Sequence, residues 1–491
     1  MLSSISFLKD SNTGITGCFR RLVWLLKMCC FLVVLLTLIP QVLTVNPGLK
    51  VVLTDKGLQY ASHVGMVFLQ EKISTVPIPD VDGDIDIGLL GSIHYVLSGM
   101  RVEQVNVPEP TVTFSEGIGI KAGIDGLNMV LHGKWQTHYL FINDGGTFDL
   151  AVLNMGTSIL LQLGSDDHGR LNVSNCQCDS SIGNTQIKFH GGARYNLQSQ
   201  HLCYFIQFLH ANVFGYHCYP FLLVSFQVNQ NLLLEVPLLV SPIIQSSDME
   251  LDLKGEFYSV KHQTEPPFSA GSFELPQPAG LMLAFGLTEF SVNSALYAYF
   301  SAGLLQVNIT DDMIPKYSPI HLNTTSLGTF IPQLPKMYPN LLVLLQVYTR
   351  DTPMISFQAD NVTFNISGSS KAYCIQPNST LTPLFRLDMS ANFNAKVFIS
   401  QEKLKGSVDL NNFTLTLGSS EIGTFQTDPL KNSLLAGIKM FLLANINASL
   451  KAGINLPAIK NIQLVNSVLK VNKGFVAMAT DATVSPPEPK S

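Results

Sequence analysis

The sequence predicts an α+β protein of two similar halves, each a strongly curved antiparallel sheet wrapped around one long apolar helix. Three observations predict it. Residues 46–73 run for about five helical turns without a second proline, and 429–453 place Leu434, Ile438, Phe441 and Asn445 at helical spacing. Long segments elsewhere alternate apolar and polar residues with period two, as half-buried strands do. The chain has 491 residues, 46% hydrophobic and only 13% charged, so it has much apolar surface to hide.

At the start, Arg20, Arg21 and Lys27 precede the apolar run 28–39, and 40–44 offer small or uncharged residues for cleavage. Residues 1–44 therefore read as a long secretory leader, the alternative being a retained anchor. The next segment, "NPGLKVVLTDKGLQYASHVGMVFLQEKI" (46–73), opens on a Pro-Gly turn and reads as the first helix. Small Ala61 and Gly65 interrupt Leu58, Val64, Met66, Val67, Phe68 and Leu69, which leaves gaps in its apolar surface. The acidic run "DVDGDID" (80–86) reads as a solvated loop.

Alternation then takes over in 111–135 and 148–163, with Asp125-Gly126 and Asp144-Gly145 as expected turns. Residues 258–280 hold four prolines among small polar residues and read as a linker between domains 45–257 and 281–485, with a tail at 486–491. Strand patterns return in 355–368, 385–400 and 406–418 before the second helix, which suggests a pseudo-duplication.

Export predicts sugar and disulfides. N-x-S/T acceptors stand at Asn172, Asn308, Asn323, Asn361, Asn365, Asn378, Asn412 and Asn447, seven of these beyond residue 300. Outside the leader the cysteines are Cys176, Cys178, Cys203, Cys218 and Cys374, an odd number that suits one structural disulfide. No nucleophile elbow, zinc-protease motif, phosphate loop or dinucleotide fingerprint is present; the glycines of "GIGIKAG" (117–123) have the wrong spacing. Cys176-Gln-Cys178 lacks the further ligands that a metal needs. The expectation is a binding protein, not an enzyme, with no metal, cofactor or nucleic acid.

Several motifs occur together: "NPGLKVVLTDKGLQYAS" (46–62), "GKW" (133–135), "LDLKGEFY" (251–258), "NITDDMIP" (308–315) and "MYPN" (337–340). In this order they resemble the family of bactericidal/permeability-increasing protein and lipopolysaccharide-binding protein, which also holds phospholipid and cholesteryl ester transfer proteins. The resemblance covers nearly all of the chain after the leader. It implies a boomerang of two barrels, each a twisted antiparallel sheet around a long helix, joined by a central sheet and carrying one apolar lipid pocket apiece. It also implies that Cys178, which opens "CDSSI", is the strand half of the disulfide; its partner is Cys218, or Cys203 when counted back from "LDLKGEF". Residues 191–235 depart from the family's charged second helix.

On this reading the lipid pockets follow Val51, Leu58, Ala61, Gly65 and Phe68 in the first half and Leu434, Ile438 and Phe441 in the second. The competing reading is an ordinary core helix in each. Interiors do not tolerate voids, and an acyl chain in the space left by Ala61 and Gly65 would gain about 0.8 kcal/mol per methylene. Endotoxin binders supply Lys and Arg to lipid phosphates, and Lys50, Arg101, Lys121 and Lys134 are the candidates here. Yet residues 45–240 hold nine lysines and arginines against sixteen acids, a formal charge of −7, and "QTHYLFIND" after "GKW" supplies only His138.

Two functions follow. One is a secreted, monomeric lipid-binding protein of innate immunity that takes lipopolysaccharide or phospholipid, with antibacterial action on Gram-negative bacteria, whose outer membrane is a further partner, as its extension. The other is a glycosylated extracellular interaction protein with weak or no lipopolysaccharide binding; a phospholipid transfer protein is a third variant.

Overall fold

The computed structural model describes residues 45–484 except 74–77, 192–223, 262, 279, 315–317, 319 and 457–461. The leader and the tail lie outside the described residues.

Strand β1 (Leu49–Thr54) leads without a break into helix α1 (Asp55–Ile73). The sequence reading of one helix from the Pro-Gly turn is thus corrected by six residues. Leu-Lys-Val-Val-Leu-Thr carries β-branched side chains and a period of two, and both of its edges find partners. The Thr54 hydroxyl ends the strand, donating to the Leu281 carbonyl (2.8 Å) and accepting the Gly57 N–H (3.3 Å). Gly57 is required here, because a Cβ would lie 2.5 Å from the Met282 carbonyl oxygen.

An N-terminal sheet follows: β2 (Val81–Asp86), β3 (Ser92–Asn106), β4 (Thr111–Ser115), β5 (Gly119–Tyr139), β6 (Ile142–Ser165) and β7 (Leu171–Gly191). Its order is β2-β3-β5-β6-β7, with β4 also on β5. The acidic run is therefore an edge strand, not a loop; charge on an exposed edge discourages pairing with another chain. Asp125-Gly126 and Asp144-Gly145 are not turns either. Gly126 (φ 80°) sits where the β5–β6 register shifts between Ile124 and Leu127, and Asp144 and Gly145 pair with Thr137 and Gln136. The glycine serves a bulge. The real turns come at 116–118, inside the alternating segment 111–135, and at Leu140-Phe141.

Short strands β8 (Ser225–Gln227) and β9 (Leu232–Glu235), with β10 (Ile243–Ile244), β11 (Asp248–Leu253) and β12 (Glu256–Ser259), lead to the proline-rich segment. Tyr258 and Ser259 belong to β12, so the irregular stretch begins at 260, and its described residues contain no helix or strand up to 282. Aromatic contacts hold it in place: Phe268 meets Phe290 edge-on at 6.1 Å, and Phe273 lies 4.8 Å from Phe475.

Next come β13 (Leu283–Thr288) and α2 (Glu289–Ser301), then β14 (Gln306–Ile309), short helices α3 (Thr324–Leu327) and α4 (Leu334–Met337), and β15 (Val343–Thr349). Strands β16 (Met354–Gln358), β17 (Asn361–Ile375), β18 (Leu381–Ser400) and β19 (Lys403–Ser420) precede α5 (Asp428–Ala452), which widens to a π-helical turn over Ile438–Leu443. The chain closes with β20 (Ile454–Asn455), β21 (Ile462–Asn472) and β22 (Phe475–Val484). The expected strand 355–368 is two strands, turning at Ala359-Asp360.

The C-terminal sheet has the order β14-β15-β17-β18-β19-β20, with β16 also on β17. A third sheet, β10-β11-β1-β13-β22-β21, brings the first and last described strands together. Asp481 on β22 fastens it. Its carboxylate accepts Lys56 of α1 at 2.8 Å, the Met282 N–H at 3.1 Å and the Asn466 amide at 3.0 Å. Burial alone would raise this carboxyl, but the hydrogen bonds from Lys56, Asn466 and Met282 outweigh it and hold the pKa below its ordinary value. A lowered folded pKa gives stability that is complete above the unfolded value of about 3.9 and is lost as pH falls through the folded one. Asp481→Asn should therefore cost about 2 kcal/mol in denaturant unfolding at pH 7, and the deficit should narrow below pH 4.

Candidate functional site

Helix α1 meets two clusters of buried side chains. Leu58 packs with Val112, Phe114, Ile244 and Met249, while Met66 and Ile73 pack farther along, against the cluster that holds Leu131, Trp135, Phe148 and Leu150. Ala61 and Gly65 fall on the flank beside this line and are exposed; a Cβ on Gly65 would meet nothing within 4 Å among the described residues. The small residues thus border open space instead of a closed void under the helix. Val67, beside them, is 59% exposed. Val51 is a strand residue, half-buried with Val236, Leu238 and Leu253, and the side chain of Phe68 lies outside the described ones.

Helix α5 repeats the arrangement. Leu434 and Ile438 pack on the cluster of Leu322, Ile331, Leu384 and Leu415, and Phe441 is half-buried. Its other flank exposes Met440 (64%), Leu442 (52%) and Ile446, and Gly437 again borders open space. Each half therefore places one long apolar helix on a sheet and leaves greasy surface beside it.

The structure does not bring the four candidate cations together. Lys50 is pinned in the central sheet by Glu250 and by Asp252 at 3.2 Å, with its side chain 13% exposed. Burial would lower its pKa, but the hydrogen bond it donates to Glu250 and the charge of Asp252 outweigh this and raise it. Lys50 is thus committed to the fold. Arg101 pairs with Glu103 at 3.2 Å. Lys121 and Lys134 are exposed but thirteen residues apart on β5, or about 40 Å. One headgroup cannot reach both.

A different feature marks the end of the N-terminal sheet. The β5–β6 hairpin turns on Leu140 and Phe141, and Leu140 takes a left-handed φ of 51°. Such tight turns favour Asn-Gly, so an apolar pair is an anomaly for folding. Leu140 is 67% exposed, Phe141 98% and Ile142 65%. His94 of β3 pairs with His138 of β5, which brings the β2–β3 turn, with fully exposed Leu89, to the same end. A groove of about 590 Å³ lined by His94, Gln136, His138, Asn143 and Asp144 lies just behind. In "QTHYLFIND" the lack of basic residues hides the signal that matters, three consecutive apolar residues where a hairpin has to turn.

Cys178 lies on β7 opposite Ile159 and is half-buried; among the described residues it has no disulfide, and Cys203 and Cys218 lie outside them. Asn308, Asn365, Asn378 and Asn412 are exposed, while Asn172, Asn323 and Asn361 are half-buried. Asn447 is committed elsewhere: its side chain accepts the Val408 N–H (2.7 Å) and donates to the Val408 carbonyl (2.9 Å).

Two family models match the chain, the N-terminal domain of the LBP / BPI / CETP family over residues 57–214 and its C-terminal domain over 227–484. The chain belongs to the LBP / BPI / CETP family. It is 37% identical to the bactericidal permeability-increasing protein of Sebastes schlegelii over 471 residues, 92% of this chain and 98% of that protein. With human lipopolysaccharide-binding protein it shares 27% identity over 467 residues, 92% and 96% of the two chains. A crystal structure of lipopolysaccharide binding protein, 25% identical, covers 90% of the chain with a TM-score of 0.51. The α+β class expected from the resemblance, with curled antiparallel sheets in two parts, is the one found.

Proposed function

We propose that this family member is a secreted, monomeric lipid-binding protein of innate immunity that takes phospholipid or lipopolysaccharide by apolar contact. The reading rests on one observation: each half carries a long apolar helix with one flank on a sheet and apolar side chains exposed on the other, Val67 on α1 and Met440, Leu442 and Ile446 on α5. Acyl chains laid along α1 and α5 would cover that surface, each buried methylene contributing about 0.8 kcal/mol. The π turn in α5 adds support, since such widened turns are frequent at functional sites. The domain division at 258–280, the Cys178 disulfide and the exposed sequons belong to the same reading, as does a role in binding or transfer instead of catalysis.

The tip of Leu89, Leu140, Phe141 and Ile142 is the part that meets a lipid surface, such as the outer membrane of Gram-negative bacteria. With Lys50 committed to the central sheet and the first half at −7, the acyl region is recognised more than the phosphates. Organic extraction of the secreted protein followed by mass spectrometry should recover phospholipid or lipid A near one molecule per half. Lipid-free, well-folded protein would overturn the reading. A second reading, an interaction protein that has lost endotoxin binding, is favoured by the committed Lys50. It predicts no lipopolysaccharide binding even at low salt, whereas apolar recognition predicts binding that changes little between low and moderate salt.

A further inference from the structure

Four successive strands of the N-terminal sheet each bring one metal-ligating side chain to the same patch of its outer face. His132 of β5 pairs directly with Asp149 of β6, and its Nδ1 lies 2.7 Å from Asp149 Oδ1. His190 of β7 reaches the other carboxylate oxygen, with Nε2 2.8 Å from Oδ2. Glu103 comes from β3. The β3–β5 register shifts between Val102 and Gln104, and this bulge leaves Glu103 outward beside Arg101, which pairs with His132. Donor atoms of Glu103, His132 and Asp149 all lie within 4.8 Å of one another.

We propose that Glu103, His132, Asp149 and His190 form a zinc-type transition-metal site that clamps β3, β5, β6 and β7. Two imidazoles and two carboxylates make a donor set suited to zinc, whose bonds of about 2.0–2.2 Å space tetrahedral ligand atoms roughly 3.3 Å apart. His132 and Asp149 need to separate by about half an ångström from hydrogen-bond contact, Glu103 to close in by up to about 1.5 Å, and His190, which lies outside that 4.8 Å group, to swing in from its contact on Asp149 Oδ2. Other histidine–acid pairs on the described surface, His63–Glu109, His94–Asp84 and His321–Asp311, offer two donors each. Among the described residues this patch alone brings three donors within 4.8 Å of one another, with His190 a fourth on the far oxygen of Asp149.

Its surroundings bear on which ion binds. Across the strands the row reads Arg101, His132, Asp149, Lys188, with Lys134 two residues along β5. These three cations oppose a divalent ion held by charge alone, as magnesium or calcium would be. Nitrogen donors are what make a transition metal competitive here. Without metal the two histidines donate to Asp149 and hold its carboxyl below the ordinary value. The alternative is thus a plain hydrogen-bonded triad with no ion.

Calorimetric titration of the EDTA-stripped, full-length protein with zinc chloride tests this. One zinc per chain is expected, unaffected by a thousandfold excess of magnesium. His132→Gln/His190→Gln should weaken binding by at least a hundredfold, and exposed Glu103→Gln, which puts the fold at little risk, by about tenfold. Circular dichroism confirms that the variants are folded. Cobalt in place of zinc should give bands of a nitrogen–oxygen site. A thiolate-to-cobalt band, zinc uptake unchanged in the double variant, or no uptake by the wild type would each overturn the assignment.

Discussion

Lys254→Met is expected to lower the unfolding free energy by about 3 kcal/mol, because it leaves a buried carboxylate without its cation. The Lys254 ammonium stands 3.1 Å from Glu256, 3.7 Å from Glu235 and 3.6 Å from Glu265, and 4.9 Å over the Tyr258 ring. Glu256 is 2% exposed, and one of its carboxylate oxygens already has no hydrogen-bond partner among the described residues. Burial pushes the Glu256 carboxyl up, more than the hydrogen bond and charge of Lys254 pull it down. With Lys254 gone, three carboxylates face one another. A raised folded pKa gives stability that is present below the unfolded value and lost as pH rises through the folded one. The deficit should therefore be largest near pH 7 and smaller near pH 4. Guanidinium unfolding of wild type, Lys254→Met and Lys254→Met/Glu256→Leu checks this, the double variant regaining most of the loss because no charge is left buried. Equal deficits for the single and double variants would contradict the account.

The same cluster shows how a motif becomes physical. "LDLKGEFY" places Lys254, Glu256 and Tyr258 at alternate positions, so they share one face, and Gly255 takes φ 62° with room for no Cβ beside Leu49 (2.8 Å). As letters alone, the motif carries only a resemblance. What it read well was local and periodic: β6 contains the expected 148–163, and α5 spans Asp428–Ala452 against an expected 429–453. What it missed depends on distant partners. Leu49–Thr54 is a strand because Asp248–Leu253 and Leu283–Leu287 lie on either side, and nothing within 46–73 announces them. Lys50 looked like a free cation because Glu250 and Asp252 are two hundred residues away. Helix α2 escaped notice since its buried face is Ser291, Asn293, Ser294 and Ala298, polar or small, with no apolar stripe to count. Ser291 and Asn293 instead satisfy backbone groups of Gly48 and Ile355.

Replacing Leu140, Phe141 and Ile142 by serine should reduce partition into phospholipid vesicles by on the order of a thousandfold. Three large side chains, 65–98% exposed, stand at one hairpin tip. Burying each in a bilayer interface is worth about 1.5 kcal/mol, so together they contribute about 4.5 kcal/mol, and each 1.4 kcal/mol is a factor of ten. Folding does not ask for them: the buried cluster of this half uses Leu131, Trp135, Phe148 and Leu150, and serine suits a hairpin turn better than leucine does. The thermal midpoint should accordingly stay within a few degrees. Sedimentation with zwitterionic vesicles at two salt concentrations gives the partition, and extraction of the same variant gives its co-purifying lipid, which should be unchanged because α1 and α5 are untouched. Wild-type partition by the triple variant would remove the tip from the lipid-contacting surface. Loss of partition together with loss of bound lipid would instead make the tip the entry route to both helices, since cargo acquired at a membrane requires docking first.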